Sequence, residues 1–372
     1  NDSNDGLNLG RRIFWNKQGQ MVYEQCIYKD NVEYLFKNGE VIDNVEFLER
    51  FVKTLNLCEN DICIMDRAGY LDYIQPLFEN KGKSKLVAVL HSDHFYKMYE
   101  NEGSLYMNYE YYYWFKYSEA IDCFVVGTDE HKRSLEAFLK EYDCFVPHIV
   151  AIPPGALPEC KLNNKNERRR GSIISASRLS PRKGIDILIK SVIKAHELNQ
   201  IINLDIYGSG DDEYTIYLQN IVKDAGADDY IHFKGHCNLK KIYPHYELFA
   251  SFSLCETFGL SLMEAVGDGL AMVGLDVRYG NRLFIHQDEN GYLVDFDVET
   301  DFQNKDKLCE RTAAAIVKIF EDDNRLKKFH ENSYKIAEEY ENHIIESKWI
   351  QLIKNILDLN PSSLILQRNA VT

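Results

Sequence analysis

The sequence lacks any paired cysteine motif. Its nine cysteines are odd in number, scattered over 372 residues, and include no C-x-x-C pair. A disulfide framework and a zinc site are therefore both disfavoured, and we expect reduced thiols. This composition predicts a cytoplasmic protein, and peripheral attachment to the cytoplasmic face of a membrane stays open.

Long apolar runs and an excess of positive charge are also missing. No signal peptide and no transmembrane segment is recognisable. The formal net charge of −15 argues against a nucleic-acid partner. No solenoid repeat or low-complexity tract occurs. The sequence has 45% hydrophobic residues and is long enough for two domains with sizeable cores.

Residues 11–42 predict antiparallel β-structure. Aromatic and polar residues alternate in RRIFWNKQGQMVYEQCIY around Gly19. The run VEYLFKNGEVI repeats this pattern around Asn38-Gly39, which predicts a type I′ hairpin turn. We therefore assign residues 1–43 to a β-hairpin region.

From about residue 44 the pattern changes to helices that alternate with short apolar strands. Such alternation is typical of an α/β fold with covered parallel sheets. One series of strands, from DICIMD to HIVAIPPG, predicts an N-terminal lobe over residues 44–155. A second series, from SIISAS to GYLVDF, follows a polar linker and predicts a C-terminal lobe over residues 156–345. Residues 346–372 are predicted to form a last helix and a tail.

Two cations follow the first strand of the second series. In SASRLSPRKGIDILI, Arg178 and Lys183 lie between a strand end and a helix N-terminus. Ligands of open α/β sheets bind at that edge, and a helix N-terminus with two cations suits a diphosphate. Ordinary surface charges beside a Ser-Pro turn are the alternative.

A second motif carries two acids. Glu256 ends the predicted strand LFASFSL, and Glu264 lies about one turn into the next helix. The amides of Phe258, Gly259 and Leu260 would be free at the start of that helix. One acid would then bind sugar hydroxyls and the other a ribose diol. A capped helix with incidental acids is the alternative.

Together these motifs resemble the retaining GT-B glycosyltransferases of family 4. The runs SASRLSPRKGID, DIYGSG, FKGH and ETFGLSLMEA carry the resemblance, which covers roughly residues 45–358. It implies two Rossmann-like lobes facing a cleft, and a last helix that crosses back to the first lobe. It also implies a set of donor-binding residues in the second lobe: Arg178, Lys183, Gly235, His236, Glu256, Thr257, Phe258, Gly259, Leu260 and Glu264.

Two histidines of the first lobe complete the expected site. The run LVAVLHSDHF places His91 at a strand end and His94 three residues later. By the resemblance, a histidine here contacts the donor sugar near its reacting carbon, and His91 is the first choice. A polar loop histidine is the alternative. We expect the catalytic set to be His91, Glu256, Lys183 and Arg178, acting in a front-face transfer that needs no metal.

Four features narrow the resemblance to one bacterial group: the β-hairpin region, the HSDH run, the tyrosine-rich NYEYYYWFKYSEAIDCFVVGT and LDVRYGNR. This group contains the GtfA-type transferases that glycosylate serine-rich-repeat adhesins, and also the glycosyltransferases of wall teichoic acid. The group has an extended β-sheet insertion. The resemblance to its GtfA-type members implies transfer of N-acetylglucosamine from UDP-GlcNAc to a serine/threonine-rich protein acceptor, with a GtfB-like partner subunit and no further cofactor.

Several alternatives stay open at this point. The donor sugar is either N-acetylglucosamine or glucose, and the acceptor is either a protein or a polyol-phosphate polymer. A non-catalytic acceptor-binding subunit would have the same fold. An NAD-dependent enzyme would need a complete G-x-G-x-x-G, which GSGDDE matches only in part.

One feature of the family has no match in the sequence. Family members carry a first strand and a glycine-rich loop before the β-insertion, and GLNLGRR lies too close to the hairpins to supply them. We therefore expect this chain to lack the front of the first lobe and to turn over poorly by itself.

Overall fold

The computed structural model describes residues 10–29, 31–66, 71–101, 104–159 and 168–358. In these ranges every cysteine is a free thiol, in agreement with the scattered pattern. None of the helices in the same ranges is both long and apolar enough to cross a bilayer.

The N-terminal region is an antiparallel sheet whose four strands lie in chain order. The strands are β1 (Arg11–Trp15), β2 (Met21–Ile27), β3 (Val32–Phe36) and β4 (Val41–Asp43). Helix α1 (Asn44–Thr54) follows, and its Phe47 stacks on Tyr34 with ring centroids 3.8 Å apart. Ile13 and Trp15 of β1 are exposed. The antiparallel β-structure predicted for residues 11–42 is confirmed, and residues 1–9 of the predicted region lie outside the described residues.

The turn between β3 and β4 differs from the prediction. The amide of Phe36 donates to Glu40, and the amide of Gly39 donates to Phe36. Gly39 has a φ of 86°, but Asn38 does not adopt a positive φ. The predicted type I′ turn is wrong, because that turn needs positive φ at both central residues. The β1–β2 turn has the same pattern, with Gly19 at a φ of 73°.

The first lobe contains a parallel four-stranded sheet with the order β10-β9-β6-β5. An antiparallel hairpin that the sequence pattern did not predict, β7–β8, is inserted after β6. The strands are β5 (Ile62–Met65), β6 (Lys85–Leu90), β7 (Phe95–Asn101), β8 (Ser104–Met107), β9 (Cys123–Val126) and β10 (His148–Ala151). The helices are α2 (Leu71–Asn80), α3 (Tyr112–Lys116) and α4 (Asp129–Glu141).

The second lobe contains a parallel six-stranded sheet with the order β13-β12-β11-β14-β15-β16. The strands are β11 (Ser172–Ala176), β12 (Asn203–Tyr207), β13 (Ile231–Gly235), β14 (Leu248–Ser251), β15 (Ala271–Leu275) and β16 (Gly291–Val294). The helices are α5 (Ile185–Leu198), α6 (Asp212–Asp224), α7 (Leu260–Gly267), α8 (Gly280–Phe284), α9 (Val298–Gln303), α10 (Lys305–Phe320) and α11 (Asp323–Glu338).

Both faces of this second sheet are covered. Successive residues of β11 point to opposite sides, so that Ile173 and Ile174 belong to two different apolar cores. This is the packing expected for near-continuous apolar strands in a parallel sheet. Counted from β11 as strand 1, the strand order is 3-2-1-4-5-6. The order reverses between β11 and β14, which makes that point the topological switch of the lobe.

The last helix, α12 (Asn342–Asp358), leaves the second lobe and packs on the first. Its Ile345, Leu352 and Ile356 are buried together with Val87 of β6 and Val125 of β9. One helix therefore joins the C-terminal end of the described chain to the core of the first lobe.

Candidate active site

A cavity of about 1050 Å³ lies between the lobes, at the switch point of the second sheet. Loops after β11 and β14 form one wall, and loops after β5 and β6 contribute to the other. Ligands of open α/β sheets bind at this position, because the loops of the two strands diverge there.

Arg178 and Lys183 come from the loop between β11 and α5, and both line the cavity. Lys183 lies in a 3-10 turn that ends at Gly184, which has a φ of 57°. A Cβ on Gly184 would lie 2.2 Å from the carbonyl oxygen of Phe252, so only glycine fits this turn. The tight turn brings the Lys183 ammonium back toward the loop after β14.

Glu256 lies in that second loop and pairs directly with Lys183. The Lys183 Nζ donates to Glu256 Oε2 at 2.6 Å, and both side chains are largely buried. The Ser253 hydroxyl donates to the same oxygen at 3.2 Å. A cation and an acid that would each contact part of a donor are therefore hydrogen-bonded to one another in the free chain.

Helix α7 starts at the cavity. Its N-cap is Gly259, with a φ of 88° and no side-chain cap. The first amides of a helix have no intrahelical acceptors, so they are available to a ligand. Thr257, Phe258, Gly259 and Leu260 all line the cavity. This wall can donate several hydrogen bonds to phosphate oxygens.

Glu264 lies one turn further along α7 and also lines the cavity. The buried Tyr243 hydroxyl donates to its Oε2 at 3.3 Å. Burial raises the pKa of Glu264, and the bond from Tyr243 partly opposes this rise. The sequence pattern did not predict Tyr243, whose position before β14 carries no motif. Of the predicted pair Gly235-His236, His236 lines the cavity and Gly235 precedes it at the end of β13.

On the first lobe, His91 follows β6 and lines the cavity. Its Nε2 lies 3.0 Å from Asp66 Oδ1, at the end of the neighbouring strand β5. The hydroxyl of Tyr111 accepts hydrogen bonds from the amides of His91 and Ser92. Neither Asp66 nor Tyr111 was predicted from the sequence, although the position of Asp66 at a strand end was a usable signal.

His94, the second choice on the first lobe, does not line the cavity. It is fully buried behind it, beside Asp93 and His131. Burial lowers the pKa of His94 to about 2 and that of His131 to about 3, so both rings are neutral. Among the described residues these three are the group that could hold a metal ion, with ligand atoms within 4.8 Å of one another. Arg278 Nη2 lies 3.6 Å from Asp93, and its positive charge disfavours a cation there.

The arrangement as a whole can hold a sugar nucleotide. Cations and helix amides on the second lobe suit phosphates, and carboxylates on both walls suit hydroxyl groups. Lining residues of the first lobe are Asp66, His91, Ser92, Glu110, Tyr111 and Pro154. Among the described residues this wall therefore contains no lysine or arginine.

The chain is similar to known glycosyltransferases. The family described as "Glycosyl transferases group 1" matches residues 161–336. The UDP-N-acetylglucosamine–peptide N-acetylglucosaminyltransferase GtfA subunit of Streptococcus gordonii is 36% identical over 357 residues, which cover 95% of this chain and 69% of that protein.

Two solved structures are similar over most of the chain. The crystal structure of the pneumococcal O-GlcNAc transferase GtfA, in complex with UDP and GlcNAc, matches with a TM-score of 0.85 at 34% identity. That match covers 94% of this chain and 67% of the other. A GtfA/B complex matches with a TM-score of 0.81 at 34% identity over 94% of this chain and 68% of the other. The predicted GT-B fold is confirmed.

Proposed function

The chain belongs to the family of GtfA subunits of peptide N-acetylglucosaminyltransferases, and we propose that it transfers N-acetylglucosamine from UDP-GlcNAc to a serine/threonine-rich protein. One observation carries the proposal. Two motifs that are distant in sequence, one with Arg178 and Lys183 and the other with Glu256 and Glu264, line a single cavity at the switch point. A non-catalytic relative would not need to keep both cations and both acids.

In this proposal the donor lies along the second lobe. Arg178 and Lys183 hold the diphosphate, together with the amides of Phe258, Gly259 and Leu260. Glu256 and Thr257 contact the sugar. Glu264 binds the ribose diol, since its side chain lies beyond the helix N-terminus that faces the phosphates. The cavity wall at His236 then receives the base, with Gly235 next to it.

The chemistry we propose is a front-face transfer with retention of configuration, as in family 4. The acceptor hydroxyl oxygen bonds to the anomeric carbon while the bond from that carbon to the diphosphate oxygen breaks. The departing oxygen takes the hydroxyl proton. Lys183 and Arg178 stabilise the negative charge on the leaving group. His91 contacts the sugar near its reacting carbon.

The charge of the first-lobe wall favours a protein acceptor. Asp66 and Glu110 line it, and lysine and arginine are absent from the described part of this wall. A polyol-phosphate acceptor would bring phosphates against these carboxylates, which is unfavourable. A neutral serine- or threonine-rich segment has no such cost, and its hydroxyl groups can donate hydrogen bonds to these carboxylates.

The proposal includes a GtfB-like partner subunit. The relative solved as a GtfA/B complex supports it, as does the exposed apolar surface of β1 and β2, where Ile13, Trp15 and Val22 are accessible. We further propose four functional segments: a β-sheet region (1–43), an acceptor-side lobe (44–155), a donor lobe (156–345) and a returning helix with a tail (346–372). We also propose that the chain acts in the cytoplasm, at the cytoplasmic face of the membrane.

A transfer assay with two donors and two acceptors tests the proposal. The chain, alone and with a GtfB-type subunit, is incubated with UDP-GlcNAc or UDP-glucose and a serine/threonine-rich peptide or a poly(ribitol phosphate). We expect the peptide to gain the mass of one N-acetylhexosamine, with an α-configured anomeric proton by NMR. A gain of hexose, a β-linkage, or transfer to the polymer would each contradict a different part of the proposal.

A further inference from the structure

We propose that Tyr279 and Asp93 are positioning residues that couple the first lobe to the loop of Glu256. This inference rests on the proposed function and adds two residues to it. Tyr279 lies in the segment between β15 and α8, and Asp93 lies two residues after His91. Neither residue lines the donor cavity.

The backbone around Tyr279 holds the Glu256 backbone on both sides. The carbonyl of Glu256 accepts hydrogen bonds from the amides of Tyr279 and Gly280, each at 2.7 Å. The Glu256 amide donates to the carbonyl of Arg278 at 3.3 Å. A Cβ on Gly280 would lie 3.0 Å from Glu256 Cγ and 2.1 Å from the carbonyl oxygen of Phe258, so the segment fits closely. A shift of Tyr279 therefore moves Glu256.

The side chain of Tyr279 extends from the second lobe into the first. It is 1% exposed, and its hydroxyl donates to Asp93 Oδ1 at 3.1 Å. Its ring stacks on His131 of α4, with centroids 4.8 Å apart and an interplanar angle of 13°. Tyr279 is thus inserted between α4 and the loop that carries His91.

Asp93 has a second contact from the same segment. Arg278 Nη2 lies 3.6 Å from Asp93 Oδ2, and its guanidinium stacks over the ring of Phe95 at 4.3 Å. The Asp93 carboxylate is 7% exposed. A buried carboxylate that loses a partner is costly, so the cluster favours one arrangement of the two lobes.

The contacts that run from Asp93 through Tyr279 to Glu256 form a path between the lobes. This path sets the distance between the two cavity walls that meet at the donor sugar. His91 is fixed relative to Asp93 by the chain, and Glu256 is fixed relative to Tyr279 by three backbone hydrogen bonds. The backbone that carries Arg178 and Lys183 belongs to the β11 loop, outside this set of contacts. Lys183 joins it only through its side-chain pair with Glu256, and the helix amides keep their place at the N-terminus of α7. Loss of the Tyr279–Asp93 bond should therefore lower kcat and leave donor affinity largely intact.

The test compares Tyr279→Phe with Tyr214→Phe in the transfer assay with UDP-GlcNAc and peptide. Tyr214 is a matched control, because its hydroxyl also contacts a carboxylate, Asp186 Oδ1 at 3.4 Å, away from the cavity. We expect Tyr279→Phe to lower kcat roughly 10- to 100-fold, with KM and UDP affinity close to wild type. Tyr214→Phe should keep the wild-type kcat. Equal kcat in the two variants, or a parallel loss of UDP affinity, overturns the inference.

A double variant tests whether Tyr279 and Asp93 act through the one hydrogen bond between them. Asp93→Asn alone should lower kcat, and Tyr279→Phe combined with Asp93→Asn should lower it less than the product of the single effects. Fully multiplicative effects would mean that the residues act independently.

A second readout separates this inference from the proposed function. Hydrogen–deuterium exchange of the peptide covering residues 88–95 should speed up in Tyr279→Phe and stay unchanged in Tyr214→Phe. Unchanged exchange in both variants overturns the coupling, whether or not the chain is active. Faster exchange in a chain that transfers no sugar would retain the coupling and reject the proposed function.

Discussion

Among single residues, Lys183 and Glu256 of the proposed donor site neutralise one another in the free chain. Lys183 and Glu256 hydrogen-bond at 2.6 Å with most of both side chains buried. A bound diphosphate would draw the ammonium toward the phosphates, and a sugar hydroxyl would replace it at the carboxylate. The pair therefore keeps both groups in place without leaving either charge buried and unpaired.

The role of Lys183 leads to a kinetic prediction. Lys183→Ala should lower kcat roughly 100-fold or more, because the charge it stabilises develops on the leaving group in the transition state. Donor affinity should fall much less, since Arg178 and the helix amides remain. Steady-state kinetics and UDP calorimetry measure the two effects. Lys194→Ala, which breaks a surface pair with Glu310, is the control, and an unchanged kcat in Lys183→Ala would count against the mechanism.

Gly259 offers a second test at this scale. Its φ is 88°, and a Cβ would lie 2.4 Å from Leu262 Cδ1 and 3.1 Å from Glu256 Cγ. Gly259→Ala should cost about 1–2 kcal/mol of stability from the backbone conformation and should also weaken UDP binding.

Gly226→Ala is the matched control for Gly259→Ala. Gly226 has a φ of 63°, but a Cβ there would meet no atom within 4 Å. Both variants should lose stability in thermal unfolding, and only Gly259→Ala should lose UDP affinity. Equal UDP affinity in the two variants would show that the Gly259 turn does not contact the donor.

The sequence could predict cavity-lining residues that belong to local motifs and could not predict the contacts that depend on distant partners. Arg178, Lys183 and Glu264 follow strands or begin helices at recognisable spacings. Tyr279 contacts Asp93 across 186 positions, and no local pattern encodes such a contact. His94 was selected for its closeness to His91 in sequence, but its ring is buried behind the cavity wall.

At the scale of elements, periodicity predicted the strands well. The apolar runs of both lobes correspond to β5, β6 and β9 through β16, because strands buried on both faces must be apolar throughout. The hairpin β7–β8 was missed, since its aromatic and charged residues lack a clean alternation. The β3–β4 loop was assigned the wrong turn, because Asn-Gly also fits a type I turn followed by a left-handed glycine.

Helix α12 packs one face on the core of the first lobe and leaves the other face exposed. Leu352 is 3% exposed against the core of the first lobe, and its neighbour Ile353 is 37% exposed. Leu352→Ala should destabilise the protein by about 2–5 kcal/mol, through lost burial and a cavity. Ile353→Ala, the matched control, should cost less than about 1 kcal/mol. Urea unfolding measures both, and equal losses would mean that α12 does not contribute to the first-lobe core.

At the scale of the whole molecule, the contact between the lobes should make stability depend on pH. His94 and His131 have native pKa values of about 2 and about 3, below their ordinary value, because both are buried. The unfolded chain takes up protons below pH 6.5 and the native chain does not. The contribution of the two neutral histidines to the free energy of unfolding is therefore nearly full above about pH 6.5 and is lost as the pH is lowered toward about 3. The loss is about 1.4 kcal/mol per histidine between pH 7.5 and 5.5.

A variant comparison isolates this effect, because other groups titrate in the same range, among them His330 with a pKa of about 4. His131→Phe keeps an aromatic ring on Tyr279 and removes one titrating group. Its stability, measured by urea unfolding at both pH values, should fall less than that of wild type on acidification. His343→Gln removes an exposed histidine and should keep the wild-type slope. An unchanged slope in His131→Phe would contradict the assignment.

The two-lobe architecture was predictable, whereas the way the lobes meet was not. Alternating elements and strand-end motifs define each lobe from within its own segment of sequence. The interface brings together Asp93, His131 and Tyr279 from three separate segments, through ring stacking and the hydrogen bond from Tyr279 to Asp93. Such contacts depend on the relative position of the lobes, which local patterns do not contain.

The most direct test of the account is whether the acid at the switch point is required for sugar transfer. Wild type and Glu256→Gln are incubated with UDP-GlcNAc, the serine/threonine-rich peptide and the partner subunit, and the peptide mass is measured while UDP binding is followed separately. We expect wild type to add N-acetylhexosamine, and Glu256→Gln to bind UDP but add none. Transfer at the wild-type rate by Glu256→Gln would contradict the claim that the reaction takes place in this cavity.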